Sequence, residues 1–91
     1  MKIIWSRSAD KDLEEACGFI ALDNLKAAQN LALRIYKIAE HLKKFPLLGK
    51  EGKIEGTREL ILSDMPFTIV YRIEDDVIGI SRIINHSRNW H

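Results

Sequence analysis

Apolar residues between positions 9 and 45 follow the spacing of two amphipathic helices. In the first segment they recur at spacings of four, three and four, at Ala9, Leu13, Ala16 and Ile20. In the second segment the spacing alternates between three and four, at Ala28, Leu31, Ile35, Ile38, Leu42 and Phe45. A stripe with this period is the buried face of a helix. The pattern therefore predicts two helices, each packed through one face.

Polar residues and a proline set the predicted ends of these helices. Ser6 or Ser8 precedes the first helix, and Asp23 or Asn24 precedes the second; all are favourable N-cap residues. The second helix is expected to end before Pro46, because the residue before a proline is pushed out of helical geometry. The link between the helices is short, which predicts an antiparallel helical hairpin.

The remaining apolar segments are short and read as strands. Residues 2–5 form a first strand, and three more are expected near 57–62, 67–73 and 77–85. Turn residues at 63–66 and 74–76 join the last three strands as antiparallel hairpins. The glycine-rich stretch 46–56 reads as a loop. The order β-α-α-β-β-β predicts one α+β domain over residues 1–91, with the N-terminal strand and helical hairpin packed on a small, mainly antiparallel sheet.

Composition narrows the class of protein further. A chain of 91 residues, 46% of them apolar, is expected to fold as one domain with one core. Its apolar runs are too short for a membrane span, and its first residues lack the pattern of a signal peptide. The single Cys17 cannot form an internal disulfide, which favours a cytoplasmic protein. Metal-ligand spacing is missing, so neither a metal nor a cofactor is predicted.

The formal net charge is only +1, yet the basic residues are unevenly placed. Residues 43–58 carry five basic side chains and residues 80–91 contain no acid, so the central loop and the C-terminal end are both positive. Arg58, Arg72 and Arg82 fall on three successive predicted strands. Guanidinium groups bind phosphate in a bidentate manner. If these strands pair, the arginines can gather on one side of the sheet as an anion site, and RNA is one candidate ligand.

Several segments in this order resemble the RelE/ParE family of small bacterial toxins from type II toxin–antitoxin systems. The resemblance covers nearly the whole chain, and it is carried by Trp5-Ser6, residues 9–13, Pro46, Gly49, residues 56–60, residues 70–72 and residues 82–90. It implies a microRNase-like α+β fold and toxicity when the protein is unopposed. It also implies neutralisation by a cognate antitoxin in a toxin–antitoxin hetero-oligomer.

The C-terminal motif departs from the family pattern at one position. Many relatives have a histidine where this chain has Asn85, and His86 is the next residue. Neighbouring side chains on a regular strand face opposite ways. His86 therefore replaces the usual histidine only if the strand frays or bulges there.

For relatives that cleave mRNA in the ribosomal A site, the resemblance implies a metal-independent reaction. The RNA 2′-hydroxyl attacks the adjacent phosphate, so a proton must be accepted, the phosphate oxygens held and the 5′-oxygen protonated. Arg58 and Arg82 are the candidates for binding the phosphate and its transition-state charge, and His86 is the candidate acid or base. Candidates for RNA binding are Lys50, Lys53, Arg88 and Trp90. A ribosome-dependent mRNA endonuclease is thus the first functional hypothesis.

Two other functions stay open. ParE-like members of the family poison DNA gyrase without cleaving RNA, and the near-neutral charge and Asn85 favour that alternative. An inactive toxin that only binds its antitoxin is the third functional hypothesis.

The candidate residues also have structural interpretations. Arg58 can pair with an acidic neighbour, Arg72 can pair across the strands, and Tyr71, Trp5 and Trp90 can belong to the core.

Overall fold

The computed structural model describes residues 1–87, which form two helices and five strands. In chain order these are β1 (Lys2–Trp5), α1 (Arg7–Ala21), α2 (Leu25–His41), β2 (Lys50–Glu51), β3 (Arg58–Ile61), β4 (Phe67–Glu74) and β5 (Val77–Asn85). The predicted α+β architecture is confirmed. The structure adds the two-residue strand β2 inside the stretch that was predicted to be a loop.

The five strands form one mixed sheet in the order β1-β5-β4-β3-β2. The first and last strands of the chain are neighbours and run parallel, with Lys2 opposite Val77 and Trp5 opposite Ile80. The other pairs are antiparallel, as the short turns predicted. The helical hairpin thus carries the chain from one edge of the sheet to the other.

The helix ends are set by two of the predicted caps. The Ser6 hydroxyl accepts a hydrogen bond from the Ala9 N–H at 2.9 Å, and the Asn24 side-chain oxygen accepts one from the Ala27 N–H at 3.0 Å. Each bond satisfies a donor that the first turn of a helix leaves free. Helix α2 ends at His41, earlier than Pro46 requires, so Phe45 lies outside the helix and is exposed.

The core lies between the helical hairpin and one face of the sheet. Buried helix residues are Ala9, Leu13 and Ala16 on α1, and Ala28, Leu31, Ile35 and Ala39 on α2. Buried strand residues include Phe67, Ile69, Tyr71, Ile78, Ile80 and Ile83. Burial of each large apolar side chain contributes about 1.5–3 kcal/mol. Tyr71 is fully buried and so belongs to the core, as its alternation with isoleucines indicated. Trp5 is partly buried and packs against the same core.

A β-bulge in β5 changes which of its side chains project from each face of the sheet. Tyr71 is opposite Ile80, but Val70 is opposite Arg82, so Ser81 is the extra residue. The Ser6 hydroxyl donates to the Ser81 carbonyl oxygen at 2.8 Å and stabilises the bulge. Alternation from Ile78 and Ile80 would have pointed Arg82 into the core; the bulge buries Ile83 instead and leaves Arg82 exposed. We call the face of the sheet that packs on the two helices the helix face. The opposite face, which no helix of residues 1–87 covers, is the open face.

Candidate functional site

One row of residues crosses the open face over four strands. Lys50 of β2 is opposite Glu59 of β3, Glu59 is opposite Val70 of β4, and Val70 is opposite Arg82 of β5. Residues opposite each other in a sheet project from the same face, and strands lie about 4.8 Å apart, so the row spans about 14 Å. Lys50, a predicted RNA contact, and Arg82, a predicted catalytic residue, thus share one face, and a carboxylate lies between them.

The Arg82 side chain forms an ion pair with Asp12 of α1. Its Nε donates to Asp12 Oδ2 at 2.7 Å and its Nη2 donates to Asp12 Oδ1 at 2.9 Å. The Ile83 N–H also donates to Asp12 Oδ2, at 2.9 Å. The hydrogen bonds that Arg82 donates to Asp12, and the negative charge of Asp12, raise the pKa of Arg82 above its ordinary value. The carboxylate therefore joins α1 to β5 and occupies the guanidinium.

Arg58 lies on the helix face and supports the 46–49 loop. It is opposite Tyr71 in the sheet, and its Nε donates to the Gly49 carbonyl oxygen at 2.9 Å. The Tyr71 hydroxyl donates to the Pro46 carbonyl oxygen at 2.7 Å and accepts from the Gly49 N–H at 2.8 Å. A Cβ on Gly49 would lie 2.8 Å from the Tyr71 ring and hydroxyl, so this close approach requires glycine.

Arg72 projects from the open face because it follows Tyr71 on the same strand. Its Nη1 donates to the Glu55 carbonyl oxygen at 3.4 Å. Arg58, Arg72 and Arg82 therefore contact three different partners, and Arg58 is separated from the other two by the sheet. The expected gathering of all three guanidinium groups on one side does not occur.

The two loop lysines are exposed beside the open face. Lys50 belongs to the edge strand β2, and the Lys53 N–H donates to Glu59 Oε2 at 3.0 Å. That bond orients the Glu59 carboxylate between the loop and the row on the open face. The basic loop and Arg82 approach one another only across this acidic residue.

His86 lies in the turn after β5, where the strand has ended. The imidazole Nε2 of His86 is 2.7 Å from the Thr68 hydroxyl. The backbone N–H of His86 donates to the Pro66 carbonyl oxygen at 2.7 Å. Asn85 is still on the strand, and its side-chain oxygen accepts two hydrogen bonds from Ser87. His86 is exposed, so its imidazole is accessible to solvent. Arg88 and Trp90, the other two predicted RNA contacts, lie outside the described residues.

Sequence reasoning missed Asp12 as the partner of Arg82. A signal for it was present, because Asp12 directly precedes Leu13 of the buried stripe and is three residues after Ala9, so it borders the face that packs on the sheet.

Within residues 1–87, no group of three His, Cys, Asp or Glu side chains could hold a metal ion. Neither helix in this part of the chain is long and apolar enough to cross a membrane.

Comparison with known proteins gives the class to which this fold and site belong. Residues 3–90 match the family described as the ParE toxin of type II toxin–antitoxin system, parDE. The chain therefore belongs to the ParE toxin family, and it is the toxin of a type II toxin–antitoxin module. The resemblance inferred from the sequence is thus confirmed.

Individual relatives agree with this assignment. The protein named "Putative toxin Y4kP" of Sinorhizobium fredii is 35% identical over 89 residues, which are 98% of this chain and 92% of that one. "Toxin RelE2" of Caulobacter vibrioides is 30% identical over 87 residues, covering 96% and 97%. The fold is similar to a chain of the chromosomal ParDE system from P. aeruginosa, with a TM-score of 0.85, 24% identity and coverage of 93% and 95%.

Proposed function

We propose that this toxin arrests growth in the cytoplasm by binding and inhibiting DNA gyrase, as its resemblance to ParE members implies, and does not cleave mRNA. The observation that carries this proposal is the ion pair between Arg82 and Asp12. A scissile phosphate would have to replace the Asp12 carboxylate at both guanidinium nitrogens. The best candidate for transition-state charge stabilisation is therefore already neutralised by the protein itself.

The charges on the open face also favour a protein target. Glu59 lies between Lys50 and Arg82, so a phosphate backbone crossing the row would meet a carboxylate between the two cations. The net charge of +1 adds little long-range attraction for RNA. A protein surface with mixed charges and apolar residues fits this face better.

The test is a pair of assays on the purified toxin. We expect inhibition of gyrase supercoiling, with gyrase-linked DNA breaks, and intact mRNA by primer extension on translated messages. Arg82→Ala should retain gyrase inhibition if it stays folded, because Arg82 has a structural role here. Arg34→Ala, which breaks the surface ion pair with Asp64, is the matched control. Cleaved mRNA together with unaffected gyrase would refute the proposal.

Ribosome-dependent mRNA cleavage is the second candidate, because the His86 imidazole is exposed and Lys50 shares the open face with Arg82. In that mechanism Arg82 and Arg58 would bind the phosphate, His86 would transfer the proton, and Lys50, Lys53, Arg88 and Trp90 would hold the RNA. Arg82→Ala or His86→Ala should then abolish in-codon cuts while the fold stays intact. In-codon cuts that persist in both variants would exclude these roles.

We further propose that a cognate antitoxin neutralises the chain in a hetero-oligomer. Support comes from large apolar side chains exposed where α1 meets α2: Phe19 is 74% exposed, Leu22 81% and Leu25 64%. Apolar side chains grouped at a surface favour a docking partner. Induction of the toxin alone should arrest bacterial growth, and co-expression of the antitoxin encoded beside it should restore growth. Normal growth with soluble toxin would favour an inactive, antitoxin-binding protein.

A further inference from the structure

A glycine, Gly79, lies in the middle of β5, the strand next to the edge strand β1, although its backbone conformation does not require glycine. Gly79 is on β5, between Ile4 of β1 and Arg72 of β4. Its φ is not in the left-handed region, in contrast to Gly56, whose φ is 85°. A Cβ placed on Gly79 would meet no atom of residues 1–87 within 4 Å. Neither backbone conformation nor crowding therefore excludes a larger residue.

Glycine at such a position is unfavourable for the isolated fold. A strand interior favours β-branched and aromatic residues, because their side chains pack on the pleated surface and lose less entropy on folding. A strand glycine with free space above it is typical of a place that another group approaches closely. The fold therefore tolerates a cost at Gly79 that nothing within residues 1–87 explains.

The space above Gly79 is a cavity open to solvent, which we name the Gly79 notch. Its volume is about 430 Å³, and its lining includes Ile4, Arg72, Val77 and Ser81. Ile4 and Arg72 flank the glycine on the neighbouring strands, so their Cα atoms lie about 10 Å apart. This width leaves room above the bare peptide for one flat ring between the two side chains. Ile4 is 54% exposed, as expected for a wall that lacks a covering group in residues 1–87.

Charge around the notch indicates what such a ring would have beside it. Arg72 forms one wall of the notch, and its guanidinium donates to the Glu55 carbonyl oxygen at 3.4 Å. At one end of the notch lie two exposed acidic residues, Glu74 at the end of β4 and Asp75 in the turn that follows it. The complement of this surface is an aromatic side chain with a basic residue next to it.

We propose that the Gly79 notch binds an aromatic side chain of the antitoxin, with an adjacent basic antitoxin residue on the carboxylates of Glu74 and Asp75. The edge strand β1 favours this occupant over a rigid target enzyme. β1 pairs with β5 on one side and is at the end of the sheet, so an extended segment can pair along it and reach over Ile4 into the notch. Flexible segments that fold on binding can follow such an edge. The inference rests on the proposed antitoxin partner and is independent of whether gyrase or mRNA is the target.

The experiment fills the notch and measures three properties of the toxin. Gly79→Val places a β-branched side chain in the notch, and Gly79→Ala places the smallest one. Gly18→Ala on α1 is the matched control, because a Cβ there also meets no atom of residues 1–87 within 4 Å. The measurements are Tm of the isolated toxin, affinity for the antitoxin encoded beside it by calorimetry, and growth arrest in cells without that antitoxin.

We expect Gly79→Val to raise Tm by about 4 °C and to weaken antitoxin binding about tenfold or more, as loss of a central interface contact does. Growth arrest should be unchanged. Gly18→Ala should also raise Tm but leave antitoxin affinity unchanged. A lower Tm for Gly79→Ala would overturn the inference, because the fold itself would then need the glycine. Unchanged antitoxin affinity of a folded Gly79→Val would overturn it as well, and lost growth arrest with unchanged affinity would assign the notch to the target.

Discussion

The contacts of Asp12 predict that two partners of one ion pair contribute very unequally to stability. The Asp12 carboxylate is only 15% exposed and accepts three hydrogen bonds, two from Arg82 and one from the Ile83 N–H. The Arg82 side chain is 52% exposed. Removing Asp12 therefore breaks the ion pair and also leaves a part-buried backbone donor without its acceptor. Removing Arg82 breaks the ion pair but leaves Asp12 its hydrogen bond from the Ile83 N–H.

The magnitudes follow from these two losses. A half-exposed ion pair contributes about 0.2–1 kcal/mol, and solvent screening keeps it in that range. A hydrogen bond from a backbone N–H to a charged acceptor contributes about 1.5–3 kcal/mol. Asp12→Ala should therefore lower the free energy of unfolding by about 2–4 kcal/mol, and Arg82→Ala by about 1 kcal/mol or less. For a domain of this size the corresponding falls in Tm are about 10–20 °C and about 5 °C.

Urea denaturation and thermal unfolding followed by circular dichroism would measure both variants. Asp12→Asn is the matched control: it keeps an acceptor for the Ile83 N–H and loses the charge, so its stability should lie between those of the two alanine variants. In a double-mutant cycle, the coupling between Asp12 and Arg82 should be about 1 kcal/mol or less. If Arg82→Ala were as destabilising as Asp12→Ala, the backbone hydrogen bond to Ile83 would not be the main contribution.

Three further predictions concern other parts of the molecule. Tyr71→Phe removes two hydrogen bonds to the 46–49 loop and leaves a buried N–H unpaired, so chemical denaturation should show a loss of about 1–3 kcal/mol. Burial raises the pKa of the Cys17 thiol, so alkylation followed by mass spectrometry should reach its half-maximal rate at a higher pH than in the urea-unfolded chain; the same pH would be a contradiction. A hydrogen bond from Arg34 lowers the pKa of Asp64, so this pair stabilises the fold above the unfolded pKa of Asp64 and ceases to do so as pH falls through the folded one. Arg34→Gln should therefore lower Tm at neutral pH and leave it unchanged once the pH is below the folded pKa of Asp64.

The helices and most strands were predictable because their signals are local. The stripes Ala9–Leu13–Ala16 and Ala28–Leu31–Ile35 follow the helical period and are buried as expected. Strand β2 has two residues among glycines, too few to show any period, and it exists only because β3 supplies a partner. A pairing between distant segments leaves no pattern in a segment this short.

The candidate site was less predictable, because it depends on register. Strand alternation alone points Arg82 into the core, and the bulge at Ser81 reverses this. The hydroxyl that stabilises the bulge comes from Ser6, 75 residues away in sequence. Arg58 and Arg72 were assigned to the correct strands, yet only the pairing of Arg58 with Tyr71 reveals that they project from opposite faces.

The parallel pairing of β1 with β5 constrains the order in which the molecule can be made. Residues 2–5 are synthesised more than seventy residues before their hydrogen-bonding partners at residues 77–80. The helical hairpin contains only local contacts and can form early, whereas closing the sheet requires a loop of more than seventy residues and is therefore slow. A growing chain on the ribosome consequently lacks the β1–β5 pair, the bulge at Ser81 and the bond between Asp12 and Ile83 until residues 77–83 have been synthesised. Chains terminated before β5 should be unable to complete the fold, so an active toxin requires synthesis through β5.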